Sequence, residues 1–181
     1  MDNVWHSIDE SRINDNEFIV CIEISKGTKS KYELDKDSGY LILDRILHTS
    51  VQYPANYGFI PKTLSGDGDP LDVLVLCSQS LNPLTLVKCY PIGVIKMKDN
   101  KSCDEKIIAI PCGDPMYNES ESIFTLSKHI ADELVHFLKV YKDLENKITE
   151  VSDPEGIEEA KKIIRESKER YKMKFNNEKS K

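Results

Sequence analysis

The chain alternates before it does anything else. Residues 17–25 set Phe18, Val20, Ile22 and Ile24 on one face and Glu17, Cys21 and Glu23 on the other, interrupted only by Ile19, which predicts a half-buried strand. Residues 30–35 repeat the pattern, with Lys31, Glu33 and Asp35 opposite Tyr32 and Leu34. A Ser38-Gly39 turn then leads into a third strand over 40–47. Apolar, β-branched runs at 71–77, 84–97 and 105–111 predict at least three more. Helical spacing comes late. Ile130, Leu134, Phe137, Leu138 and Tyr141 form one amphipathic stripe. A second helix is expected to open at Ser152-Asp153-Pro154-Glu155, where Ser152 and Glu155 have capping-box spacing and Pro154 suits a first turn. Its stripe is Ile157, Ala160, Ile164 and Tyr171, and the tail is expected to fray from about Lys172. Strands followed by helices predict an α+β fold, a small barrel or curled sheet, as a single domain over residues 1–181.

Composition narrows the function classes. With 31 acidic and 25 basic residues the net charge is −6, which argues against nucleic acid as a partner, because phosphate backbones are bound by basic stripes. No apolar run is longer than that of residues 73–77, far short of the roughly 20 residues a spanning helix needs, so no membrane association is expected. The first residues lack the basic and apolar halves of a secretory signal. Cys21, Cys77, Cys89, Cys103 and Cys112 are odd in number and form no C-x-x-C pair, which speaks against a disulfide framework or a zinc site. A reducing, cytoplasmic setting is the expectation.

The chemistry concentrates in Ser65-Gly66-Asp67-Gly68-Asp69-Pro70-Leu71-Asp72, three carboxylates in six positions just ahead of an apolar strand. Unit charges about 4 Å apart repel by about 4 kcal/mol at an effective dielectric near ~20, so such a cluster calls for a cation. Oxygen ligands select hard ions, and Mg²⁺ prefers one or two carboxylates completed by waters and phosphate oxygens. An EF-hand is excluded: counting from Asp67, Asp72 stands where glycine is required and Ser78 where glutamate is required. Asp99 and Asp104 flank a charged segment that by itself reads as a hairpin tip. Glu23, Lys31, Glu33 and Arg45 interrupt apolar strands, where each alone is an ordinary edge charge. No glycine pattern of the Rossmann or P-loop type, no nucleophile elbow and no H-E-x-x-H occur. His129 and His136 would share a helix face, but nothing completes a metal set with them.

In order and spacing, Ile22-Glu23-Ile24, Lys31-Tyr32-Glu33, Asp44-Arg45, Tyr53-Pro54-x-Asn56-Tyr57-Gly58, Asp67-Gly68-Asp69-Pro70-x-Asp72, Lys96-Met97-x-Asp99, Asp104-x-Lys106 and Tyr141-Lys142-x-Leu144-Glu145 resemble the family I soluble inorganic pyrophosphatases of bacterial type. The resemblance spans about residues 17–146. It implies a five-stranded OB-like closed β-barrel with flanking α-helices, and hydrolysis of pyrophosphate to two phosphates with several Mg²⁺ ions, Mn²⁺ or Zn²⁺ serving as substitutes. It implies that Asp67, Asp72, Asp99 and Asp104 hold the metals and that Asp69 is the catalytic base. Lys31, Arg45, Tyr57, Lys106, Tyr141 and Lys142 then bind phosphoryl oxygens, and Glu23, Glu33 and Tyr53 support the metals through water or neighbouring groups. It also implies a homo-hexamer, for which the His129–His136 stripe is a suitable contact.

Overall fold

The structure, a computed structural model, describes residues 3–99, 102–147 and 149–175, with side chains for all of these but Asp99 and Ser102. In chain order the elements are α1 (Val4–Ser7), β1 (Phe18–Ile24), β2 (Ser30–Leu34), β3 (Leu41–Ile46), β4 (Asn56–Ile60), β5 (Leu71–Val75), β6 (Leu86–Asp99), β7 (Ser102–Pro111), α2 (Lys128–Val140), β8 (Thr149–Val151) and α3 (Ile157–Phe175). Five strands pair in a ring, β1-β4-β5-β7-β6, closed by β6 returning to β1, with β8 added beyond β6. This is the closed five-stranded arrangement expected, within an α+β fold. β2 and β3 form a separate antiparallel ribbon. No helix among the described residues is long and apolar enough to cross a membrane.

Why the central strands read as near-continuous apolar runs is visible in their packing. Val73, Val75, Ile107 and Ala109 enter one core with Ala160, Ile163 and Ile164 of α3. Their alternates, Leu74, Leu76, Ile108 and Ile110, enter another with Leu134, Phe137 and Leu138 of α2. A strand covered on both faces has no polar side to show. β1 is the same: all seven residues are buried, so the half-buried expectation is corrected. Its second face is covered by groups from the two ends of the chain, where Cys21 meets Trp5 of α1 and Tyr171 of α3.

Two further expectations change. The stretch Tyr53-Pro54-x-Asn56-Tyr57-Gly58, where the apolar pattern predicts no strand, runs into β4 at Asn56–Ile60. The cause is Gly58, where an added Cβ would lie 2.0 Å from the Cys21 carbonyl oxygen, so only glycine lets β4 approach β1 this closely. The expected helix start at 152–155 is extended chain instead. Glu155 exchanges both backbone hydrogen bonds with Val94, at 2.8 and 3.0 Å, and Ser152 Oγ accepts from Lys96 N, so α3 begins two residues later. At its other end α3 runs to Phe175, whose ring meets Trp5 edge-on at 5.2 Å while Lys172 pairs with Glu10; the rest of the tail expected to fray lies outside the described residues.

Candidate active site

The face of β5 and β7 that packs toward α2 opens at the strand starts, and there the apolar pattern gives way to charge. The parallel β5–β7 register sets Asp72 opposite Lys106. Two residues earlier on β7, Asp104 takes the same face, and the Lys106 ammonium bridges both carboxylates. Lys106 is only 3% exposed and its ammonium lies 5.6 Å from the centroid of the Tyr57 ring on β4. The Asp67–Asp69 turn ahead of β5 is shaped by Gly68 at φ +96°, with Asp69 N donating to Asp67 Oδ1 at 3.0 Å and Ser65 N to the Asp69 carbonyl at 2.7 Å. β1 contributes Glu23, whose carboxylate accepts from Leu34 N at 2.8 Å. The β2–β3 ribbon contributes Lys31, paired with Glu33 and with Asp44 at 3.0 Å. Just past α2, Tyr141 and Lys142 complete the rim.

A cleft of about 150 Å³ is lined by Glu23, Lys31, Tyr32, Glu33, Tyr57, Asp67, Asp69, Asp72, Asp104, Lys106, Tyr141 and Lys142. All but Tyr32 are residues singled out in the sequence. Tyr53 lies buried beneath it, its ring 5.5 Å from that of Tyr57. Arg45 adjoins through the Asp44 carboxylate that it shares with Lys31, and its Nε donates to Glu145 at 3.0 Å. The Asp99 side chain lies outside the described residues. Three groups received no role from the sequence: Tyr32 on the wall and Glu145 anchoring Arg45, both within the quoted motifs, and Lys36, outside them, which pairs with Asp69 from 33 positions away. No local spacing signals such a partner. A larger cavity of about 370 Å³ between β6, β7 and β8 is lined by Lys96, Met97, Lys98, Cys103, Glu105 and Glu150, and holds none of the cleft's aspartates.

Burial and like charge set the protonation of the cleft. Glu23 is pushed up to about 8, first by burial and then by the charge on Asp72. Asp67 and Asp72 are also raised by burial, although Lys106 opposes the shift at Asp72. Burial alone would lower Lys106, yet Asp72 and Asp104 outweigh it and hold the ammonium above the usual lysine range. Burial keeps Tyr57 protonated well past its ordinary value, so it remains a donor.

The donor set suits hard cations: Asp67, Asp69, Asp72 and Asp104 offer oxygen only. Among the described residues no three such groups converge on one point. Mg²⁺ does not require that, since one or two carboxylates with waters and substrate oxygens suffice. An anion is suited as well, because the buried Arg45 Nη2 has no hydrogen-bond partner, and a buried guanidinium nitrogen left unmatched is costly.

The fold and cleft together define a class: a small closed sheet whose strand ends carry an acidic cleft ringed by lysine, arginine and tyrosine, with donors for a polyanion and for hard cations. The sequence profile of the inorganic pyrophosphatase family matches residues 20–172. The chain is 46% identical over 168 residues to soluble inorganic pyrophosphatase 2 of Chlamydomonas reinhardtii, covering 92% of this chain and 87% of that one. The solved inorganic pyrophosphatase of Helicobacter pylori superposes with a TM-score of 0.87 at 43% identity, covering 92% and 99% of the two chains. That of Thermus thermophilus gives 0.84 at 35% identity, covering 87% and 92%. The chain belongs to the inorganic pyrophosphatase family.

Proposed function

We propose that the chain hydrolyses pyrophosphate to two phosphates, with several Mg²⁺ ions held by Asp67, Asp72, Asp99 and Asp104. The observation that carries this reading is one cleft that brings Asp67, Asp69, Asp72 and Asp104 together with Lys31, Lys106 and Lys142. Mg²⁺ bound there supplies neutralisation of the substrate's charge and a lowered pKa for coordinated water, with Mn²⁺ or Zn²⁺ as substitutes. Asp69 stands open at the cleft, its side chain 57% exposed against 24% for Asp72 and 16% for Asp104, and it takes the proton from the attacking water. The water oxygen bonds to one phosphorus while the bridging P–O bond breaks, and its electron pair leaves with the second phosphate. Lys31, Arg45, Lys106 and Lys142 hold phosphoryl oxygens, with Tyr57 and Tyr141 donating to them, so that charge developing on the leaving phosphate meets donors already in place. Glu23, Glu33 and Tyr53 orient the groups that hold the metals.

Phosphate release from pyrophosphate, measured with Mg²⁺ and again with excess chelator, tests the proposal. Activity that depends on the divalent ion is expected, and undiminished release in chelator would overturn it. Family membership further supports a homo-hexamer in the cytoplasm. His129 and His136 are both exposed on α2, as a contact stripe requires. Light scattering at neutral and mildly acidic pH is expected to give a hexamer that loosens as histidine protonates. A monomer at neutral pH would refute the assembly.

A further inference from the structure

We infer that Lys36 is a positioning residue for Asp69, and that Asn3 and Trp5 near the start of the chain hold Lys36 for that task. The inference rests on the reading of Asp69 as the group that accepts the proton from water. Lys36 lies two residues past β2, and its ammonium pairs with Asp69 Oδ1. Two contacts fix the lysine in turn. Asn3 Nδ2 donates to its carbonyl oxygen at 2.6 Å, and its ammonium stands 5.6 Å from the centroid of the Trp5 ring. Trp5 is buried and donates from its indole nitrogen to the Thr63 carbonyl at 2.8 Å. Thr63 Oγ1 accepts from Leu71 N at 2.9 Å, so the loop carrying Asp67 and Asp69 is closed at its base on Thr63, the residue whose carbonyl Trp5 holds. A polar cavity of about 100 Å³, lined by Trp5, Glu23, Glu33, Leu34, Lys36, Asp69 and Pro70, shares Glu23, Glu33 and Asp69 with the main cleft. Asp69 therefore lines both cavities.

The chemical problem this solves is the likeness of the three carboxylates. Beside hard cations a free Asp69 would ligate them as Asp67 and Asp72 are proposed to, and would be lost as a proton acceptor. The backbone of the turn is already fixed by its own hydrogen bonds, so what is left to set is the carboxylate's rotation. An ammonium on Oδ1 sets it and leaves Oδ2 for the water. The pair itself contributes little to stability, since its side chains are 46% and 57% exposed. Its loss should therefore leave the fold intact and be read in the rate.

The test is a cycle of Lys36→Met, Asp69→Asn and the double variant, with Lys36→Arg as the conservative control. Lys36→Met is expected to lower kcat by roughly 10- to 10²-fold, the scale of a misplaced catalytic group, at unchanged KM for pyrophosphate and unchanged melting temperature. Lys36→Arg should recover most of the rate, and Lys36→Met should cost nothing further on top of Asp69→Asn. Trp5→Leu, read at a temperature where it is fully folded, should show a smaller kcat loss at unchanged KM; the parent kcat would overturn the part played by the N-terminal segment. If Asp69→Asn is slow but Lys36→Met matches the parent, the inference on Lys36 fails while the base reading stands. An Asp69→Asn variant with the parent kcat would remove the base reading itself. A raised KM with kcat intact would make Lys36 a phosphate ligand and overturn the positioning role, as would additive losses in the double variant.

Discussion

Lys106→Met tests the electrostatics of the cleft most directly. Methionine keeps the length and packing of the stem but removes the charge that bridges Asp72 and Asp104. Those two side chains are 24% and 16% exposed, so water screens only part of the repulsion released. Removing one partner from a buried ionic group costs about 3–5 kcal/mol. Residual exposure puts this case near the lower end, about 3 kcal/mol, or roughly 6–12 °C in melting temperature for a chain of this length. The proposed metal role adds a second expectation. Mg²⁺ at about 100 times its Kd stabilises a single-site protein by about 2.7 kcal/mol, and in the variant it also relieves carboxylates that no longer have an ammonium between them. Mg²⁺ should thus raise the melting temperature of Lys106→Met by more than that of the parent, while pyrophosphate hydrolysis stays low because a phosphate donor is missing. Thermal denaturation of both proteins with chelator and with Mg²⁺ reads this out. A metal-free variant as stable as the parent, or equal Mg²⁺ stabilisation of the two, would refute the reasoning.

Asp69→Asn should lower the maximal rate by roughly 10²–10⁴, the usual contribution of a general base, while Asp72→Asn should weaken Mg²⁺ activation more; Mg²⁺ titrations giving the reverse order would exchange the two roles. Glu23 is raised to about 8 against an ordinary 4.5, so it binds more protons folded than unfolded between those values and costs stability as pH rises through that window. Glu23→Gln, which can still accept from Leu34 N, should therefore gain stability over the parent at pH 8.5 and show little gain at pH 4.5 in metal-free denaturant titrations; an equal gain at both would sink the assignment. Gly58→Ala should cost at least the roughly 1–3 kcal/mol of an overpacked core, because the new methyl meets the β1 backbone and not a movable side chain. A denaturation midpoint matching the parent would contradict this.

Legibility followed the range of the cause. β1, β2, β3 and β5 to β7 were readable because period-2 alternation and two-sided apolar runs are local facts. β4 was not, because the glycine that permits its contact with Cys21 looks, in sequence, like one more turn residue beside Pro54 and Asn56. The site divides in the same way. Asp67, Asp69 and Asp72 announce themselves by crowding, whereas Lys36 answers Asp69 across 33 residues and Glu145 answers Arg45 across 100.

What joins the legible part to the rest is register. Asp72 precedes Leu74 and Leu76 on one face of β5, and Lys106 precedes Ile108 and Ile110 on the matching face of β7. Because side chains alternate, a slip of one residue in this pairing would send Lys106 toward the α3 core and bring Ile107 to the cleft. An unpaired ammonium in that core is far costlier than the pairing it would replace. The apolar sequence that closes the ring is therefore also the device that sets the ammonium between its two carboxylates, and selection on the core and selection on the site act through the same strand pairing.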